Sequence, residues 1–153
     1  MKRHPQWDQR LHDCVTANLN KPYEFGRHDC LLWPAAAVRA VTGKDYGRGH
    51  RGKYDSIAKA YRYLQGLGFS GPEAFLDSLF DEKPVGFAGR GDLVLCHVDL
   101  AETQQGILPG DVPGVCMGDF ALIPGENGLL RLPRERWLKA WAVGDHHSSW
   151  PDE

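Results

Sequence analysis

An aspartate and a cysteine side by side, Asp29-Cys30, stand where an irregular segment gives way to a helix. They are the residues of this chain whose types and spacing point most directly to chemistry. Pro22 and Gly26 punctuate the stretch before them. Residues 35–42 are good helix formers, and Gly43 is placed as the C-terminal stop. An aspartate at that junction reads as an N-cap, its carboxylate accepting hydrogen bonds from the free N–H groups of the first turn. Cys30 then sits at the positive end of the helix dipole, where a thiol gives up its proton more readily, and the thiolate is the nucleophile. Pro34 complicates this geometry, because the residue before a proline disfavours helical backbone. A helix beginning nearer Pro34 leaves Cys30 in a loop just ahead of it. The competing reading is a structural thiol, since free cysteine behaves as a small hydrophobe.

The elements that must hold this pair follow from periodicity. Trp7, Leu11, Cys14 and Val15 mark an amphipathic helix, and Cys14 belongs to its apolar stripe. Ile57, Ala60, Tyr61 and Leu64 mark another, stopped by glycines at 66–68. Gly71-Pro72 opens a shorter one with Phe75, Leu76, Leu79 and Phe80 on its apolar face, and residues 83–91 read as a connector. The period then changes to that of strands at 92–98, 112–117, 120–123 and 129–132, with Gly118-Asp119 and Asn127-Gly128 as turns. Residues 134–137 read as one helical turn and 140–143 as a closing strand. Helices first and meandering strands second predict an α+β domain with an antiparallel sheet. Asp92 reads as a strand-start residue bonding to nearby backbone N–H groups. The tryptophans at 7, 33, 137 and 141 are expected in the core.

Three stretches together, FGRHDC at 25–30, GDLVLCHV at 91–98 and VPGVCMGDFALI at 112–123, resemble the NlpC-like cell-wall cysteine peptidases of the papain-like superfamily. Within that group the sequence is most similar to uncharacterised phage proteins encoded among tail genes. The resemblance runs from about Trp7 to Gly144. It implies a nucleophile helix packed on a small curled antiparallel sheet, one domain over 1–144, and a polar tail over 145–153. It also implies Cys30 as nucleophile, a histidine base at the start of the 112–118 strand and an orienting polar residue on the next strand. Those two slots hold Val112 and the apolar run 120–123. An aliphatic side chain takes no proton, so the standard dyad is absent. His97, at the end of the neighbouring strand, is the candidate substitute base; His28 is too close in sequence to face Cys30 easily.

Two functions follow from the resemblance. The first is a structural component of a phage tail tip on a fold that has lost its dyad, made in the host cytoplasm and carried in the virion among other tail proteins. The second is a cysteine hydrolase that cuts peptidoglycan stem peptides during entry. No cofactor is implied. Cys30, Cys96, His97 and Cys116 could converge, but no short loop supplies two ligands, so no metal site is expected. His146-His147 lies in the tail.

Composition bounds the rest. The chain has 153 residues and a net charge of −2, which implies one ordinary domain and no general attraction to nucleic acid. No apolar run approaches a membrane span, and the N-terminus has no apolar segment after its charges, so neither a membrane anchor nor a signal peptide is expected. Residues 43–56 form a basic glycine-rich loop. Its Gly47–Lys53 stretch nearly spells a phosphate-binding loop, but Tyr54 follows where Ser or Thr is needed. It reads as a solvated loop or as a contact surface offering Lys44, Arg48, Arg51 and Lys53 to an acidic partner. Few large apolar groups predict little intramolecular burial for it. Arg48, Arg51 and Trp150 of the tail are the candidate partner-binding residues.

Overall fold

The computed structural model describes residues 2–99 and 110–144. The 145–153 tail, with His146, His147 and Trp150, lies outside the described residues. Among those described, four α-helices precede an antiparallel sheet of six strands.

Helix α1 (Trp7–Asn18) carries its periodic stripe one turn beyond Val15. Helix α2 (Leu32–Thr42) ends at Gly43, whose φ of 82° suits glycine and whose N–H bonds the Arg39 carbonyl. Helix α3 (Ile57–Gly66) is capped by Ser56, which accepts from the Lys59 N–H. Helix α4 (Pro72–Leu79) begins on its proline, as the missing N–H allows.

Strand β1 (Glu82–Lys83) straddles the start of the expected connector and is followed by a 3-10 turn at Val85–Phe87. Strands β2 (Leu93–Val98), β3 (Gly110–Cys116), β4 (Phe120–Gly125) and β5 (Gly128–Pro133) are the expected meander. A 3-10 turn at Arg134–Arg136 then leads into β6 (Trp137–Trp141), which begins and ends earlier than periodicity suggested. The meander stops there. Strand order is β1-β6-β2-β3-β4-β5, so the last strand crosses back to lie beside β2. The register between β2 and β6 slips between Leu95 and Cys96, a local irregularity that adds twist.

The sheet buries both faces, and β2 shows how. Leu93 and Leu95 join a cluster with Leu11, Trp33, Val38 and Leu76 from the helices. Val94, Cys96 and Val98 point the other way, into a second cluster with Val112, Cys116, Ile123 and Ala140. That is the period of two expected of a strand. The buried members of the second cluster come from strands and from residues 85–88 alone, so the sheet encloses it by curling rather than by stacking under a helix. Trp33, Trp137 and Trp141 are buried as expected and Trp7 packs against the first cluster. Among the described residues no helix is long and apolar enough to cross a membrane.

Asp92 does more than the local bonding expected of it. It is buried and accepts from the Gly89 N–H at 2.9 Å and, far along the chain, from the Val143 N–H at 3.0 Å. It also pairs with Arg3 at 3.1 Å and Lys83 at 2.8 Å. Arg3 in turn donates to the Val143 and Arg90 carbonyls and lies over the Trp7 ring. One buried ion-pair network thus ties the N-terminal arm to the last strand's exit.

Candidate functional site

Cys30 lies in the turn that precedes α2, two residues before Leu32, and packs against the Val112 cluster of the sheet. Pro34 sets that boundary, since it has no N–H to give the Cys30 carbonyl in an i→i−4 bond. Asp29 caps the junction as its type suggests. Its carboxylate accepts from the N–H groups of Gly26, Leu31 and Leu32 at 2.8, 3.0 and 2.9 Å. It is 1 % exposed.

The expected activation of the thiol does not occur. Burial pushes the Cys30 thiol up to about 12, and the neighbouring Asp29 charge pushes the same way. The hydrogen bond with Tyr23 opposes them and is outweighed. A helix terminus favours a thiolate only where water or donors solvate it. Here the cap that consumes the free N–H groups is itself an anion, and it sits beside the sulfur. At neutral pH Cys30 is a thiol.

Its surroundings are phenolic. The Cys30 N–H donates to the Tyr23 hydroxyl at 3.4 Å. The Tyr46 hydroxyl donates to the Leu31 carbonyl at 2.6 Å, and the Tyr54 hydroxyl faces Asp29. Burial raises all three phenols well above their ordinary value, with Asp29 and Cys30 adding to the shift. Neutral phenols of this kind donate and accept hydrogen bonds, but none of them is a base that could take the thiol proton at neutral pH. Tyr23, Phe25, Tyr54, Ile57, Tyr61 and Pro72 wall a cleft of about 50 Å³ over Cys30, with room for a few water molecules. Ile57 and Tyr61 remain 46 % and 40 % exposed at its mouth.

The far wall is β3. Val112, the residue in the histidine slot of the resemblance, lines the cleft, as does Asp111. His97 does not line it. Its Nδ1 lies 3.1 Å from the Asp111 carboxylate, across the β2–β3 register, and both side chains are about half exposed. No histidine hydrogen-bonds the Cys30 thiol among the described residues. His28 is buried with its Nε2 unpartnered and its ring tilted on Trp33; burial lowers its pKa. Cys96 and Cys116 are buried in the cluster that Cys30 packs against, and no group of three or more potential metal ligands converges among the described residues.

The glycine-rich loop is neither loose nor wholly polar, against the expectation of little burial. Tyr54 is buried, Tyr46 packs on Phe75 and Phe80, and His50 stacks edge-on against Tyr63 and Phe75. The Gly52 N–H bonds the Gly26 carbonyl at 2.8 Å, joining this loop to the segment that carries Cys30. Arg51 is held by Asp45 in a two-pronged pair at 2.8 and 2.9 Å. Arg48 is exposed. Tyr23, Tyr54 and Asp111 are site residues that the sequence reading passed over. The available signal was Tyr54, Ile57 and Tyr61 at helical spacing, and the acid beside Val112.

Residues 2–143 match the family described as a domain of unknown function, DUF6950. No curated protein and no solved structure matches the chain.

Proposed function

We propose that this chain, which belongs to the DUF6950 family, is a non-catalytic assembly component: an NlpC-like scaffold in a phage tail tip whose former nucleophile has become part of a binding cleft. The scaffold and the tail setting come from the likeness of FGRHDC, GDLVLCHV and VPGVCMGDFALI to those peptidases. The observation that carries the non-catalytic reading is the state of Cys30. Its thiol is pushed up to about 12, and the polar groups around it are phenols and a carboxylate already bonded to backbone N–H groups. Nucleophilic catalysis needs a neighbouring base to take the thiol proton, or a thiolate already formed; neither condition is met.

A second reading rests on one specific arrangement. His97 with Asp111 is a base–orienter pair, and Asp111 lines the Cys30 cleft. A rearrangement that turned His97 inward would assemble the triad of a cysteine hydrolase.

Both readings meet in one experiment. The purified protein is incubated with peptidoglycan sacculi, and tails carrying wild-type or Cys30→Ala protein are assembled in parallel. The expected result is no release of soluble stem peptides, with the Cys30→Ala protein incorporated into tails as well as wild type. Release that disappears in both Cys30→Ala and His97→Ala would make the hydrolase the better description. A protein that never co-sediments with tail particles would remove the assembly reading.

A further inference from the structure

A second concavity lies between α1 and α2 and shares no residue with the Cys30 cleft. It encloses about 430 Å³ and is lined by Arg10, Asp13 and Cys14 of α1, Ala36, Arg39 and Ala40 of α2, and Arg51 of the glycine-rich loop. Its floor is small and apolar: Cys14, Ala36 and Ala40 are half-buried, and burial keeps the Cys14 thiol protonated. Guanidinium groups enter from three separate elements. Arg10 is fixed by donating to the Ala40 carbonyl at 2.7 Å and the Arg39 carbonyl at 3.3 Å, which leaves one terminal nitrogen undirected. Arg51 is fixed by Asp45 through both terminal nitrogens. Arg39 is exposed, and its guanidinium has no hydrogen bond or ion pair among the described residues. Two carboxylates oppose them: Asp13 in the lining, which already accepts from Gln9 at 2.9 Å, and Asp45 beside it, which pairs with Arg51 and interacts electrostatically with Arg39.

We infer that this groove docks an acidic segment of a partner protein, with Arg39 as the main contact and Arg10 as a pre-positioned positive neighbour, while Arg51, its charge offset by Asp45, walls the groove. The planar guanidinium fork matches a carboxylate in two-pronged geometry, and two of the three are already immobilised, so little side-chain freedom is lost on docking. The alanine floor accepts small apolar side chains between the acids. A nucleic acid fits less well. No aromatic ring lines the groove to stack a base, and the chain's net charge of −2 disfavours a long polyanion. The contact surface therefore lies beside the glycine-rich loop rather than at its tip, and Arg51 belongs to it while Arg48 does not. The groove is independent of how Cys30 is read.

The test is fluorescence anisotropy with labelled decaglutamate and the full chain at low salt, with thermal unfolding to check each variant's fold. Arg39→Glu and Arg48→Glu change net charge equally, so they separate the groove from the general field. Arg39→Glu is expected to weaken binding about tenfold or more, and Arg48→Glu to stay within about twofold of wild type. Absence of saturable decaglutamate binding, or equal losses in the two variants, would overturn the assignment. So would tighter binding of a decathymidylate with the same Arg39 dependence, which would make the groove a nucleic-acid site.

Discussion

At the scale of single residues, Cys30 is governed by what surrounds its sulfur. Helix position argues for a thiolate, yet burial and the Asp29 charge outweigh it and push the thiol up to about 12 from an ordinary 9.0. This has a consequence for stability. The unfolded chain loses the Cys30 proton near its ordinary value, whereas the folded chain holds it. The stabilisation is therefore fully present below about pH 9 and is lost as pH rises toward 12. A Cys30→Ser protein, which carries no thiol to ionise, is expected to lose less stability than wild type between pH 9 and 10.5; the buried phenols begin to add their own loss above about pH 10, equally in both proteins, so it cancels in the comparison. Urea unfolding at a series of pH values measures this, and parallel curves for the two proteins would show that Cys30 titrates normally. The composition around Cys30 was visible in the sequence; the sign of its shift was not. Desolvation depends on residues such as Tyr54 and Val112, which are distant along the chain and close in space.

At the scale of elements, the segment bearing Cys30 and the glycine-rich loop behave as one unit, and Gly26 is where they meet. Its φ is +83°, and a Cβ there would lie 2.4 Å from the Tyr54 carbonyl oxygen. Gly52, on the other side of the same contact, has φ +75° with nothing within 4 Å of the added carbon. The left-handed conformation alone costs about 1–2 kcal/mol for an alanine, and a backbone clash adds to it. Gly52→Ala is thus expected to cost about 1 kcal/mol and Gly26→Ala more than about 3 kcal/mol, measured by equilibrium denaturation. Equal costs would mean that the two segments are not in the contact described. Both glycines read correctly as turn residues from the sequence, but only the pairing of the two loops separates the tolerant position from the intolerant one. The same holds for Tyr46 and Tyr54. They lie in a stretch that reads as polar and prove to be its anchors.

At the scale of the whole molecule, Arg3 and Asp92 join the N-terminal arm to the exit of β6. Asp92 accepts from Val143 and Arg3 through one oxygen and from Lys83 and Gly89 through the other. Removing one partner of a buried pair leaves the other charge short of compensation, which typically costs about 3–5 kcal/mol. Lys83 remains in an Arg3→Met protein, so a loss of about 3 kcal/mol is expected. An Arg90→Ala protein, which breaks the more exposed pair with Asp8, should lose less than about 1 kcal/mol. Urea midpoints for the two variants provide the check. A loss below about 1 kcal/mol for Arg3→Met would show that the network adds little stability beyond an exposed pair. Gly91 belongs to this arrangement too. A Cβ there would meet the Arg3 guanidinium at 2.8 Å, so the arm and the turn before β2 require each other.

By itself the sequence determined what depends on neighbours along the chain. Three helices follow from apolar spacing and α2 from its run of good helix formers, with Gly43 and Pro72 marking ends, and the β3–β4 and β4–β5 turns follow from Gly118 and Gly128. The cap at Asp29 follows from the reach of a short carboxylate to the next N–H groups. These are local interactions, and residue type and spacing specify them. Tertiary structure alone decided the return of β6 to β2, the recruitment of Glu82–Lys83 as an edge strand, the Arg3–Asp92 network, the basic groove between α1 and α2, and the protonated state of Cys30. Each depends on burial or on a partner tens of residues away. Desolvation and charge pairing act through space, where spacing along the chain carries no information about them.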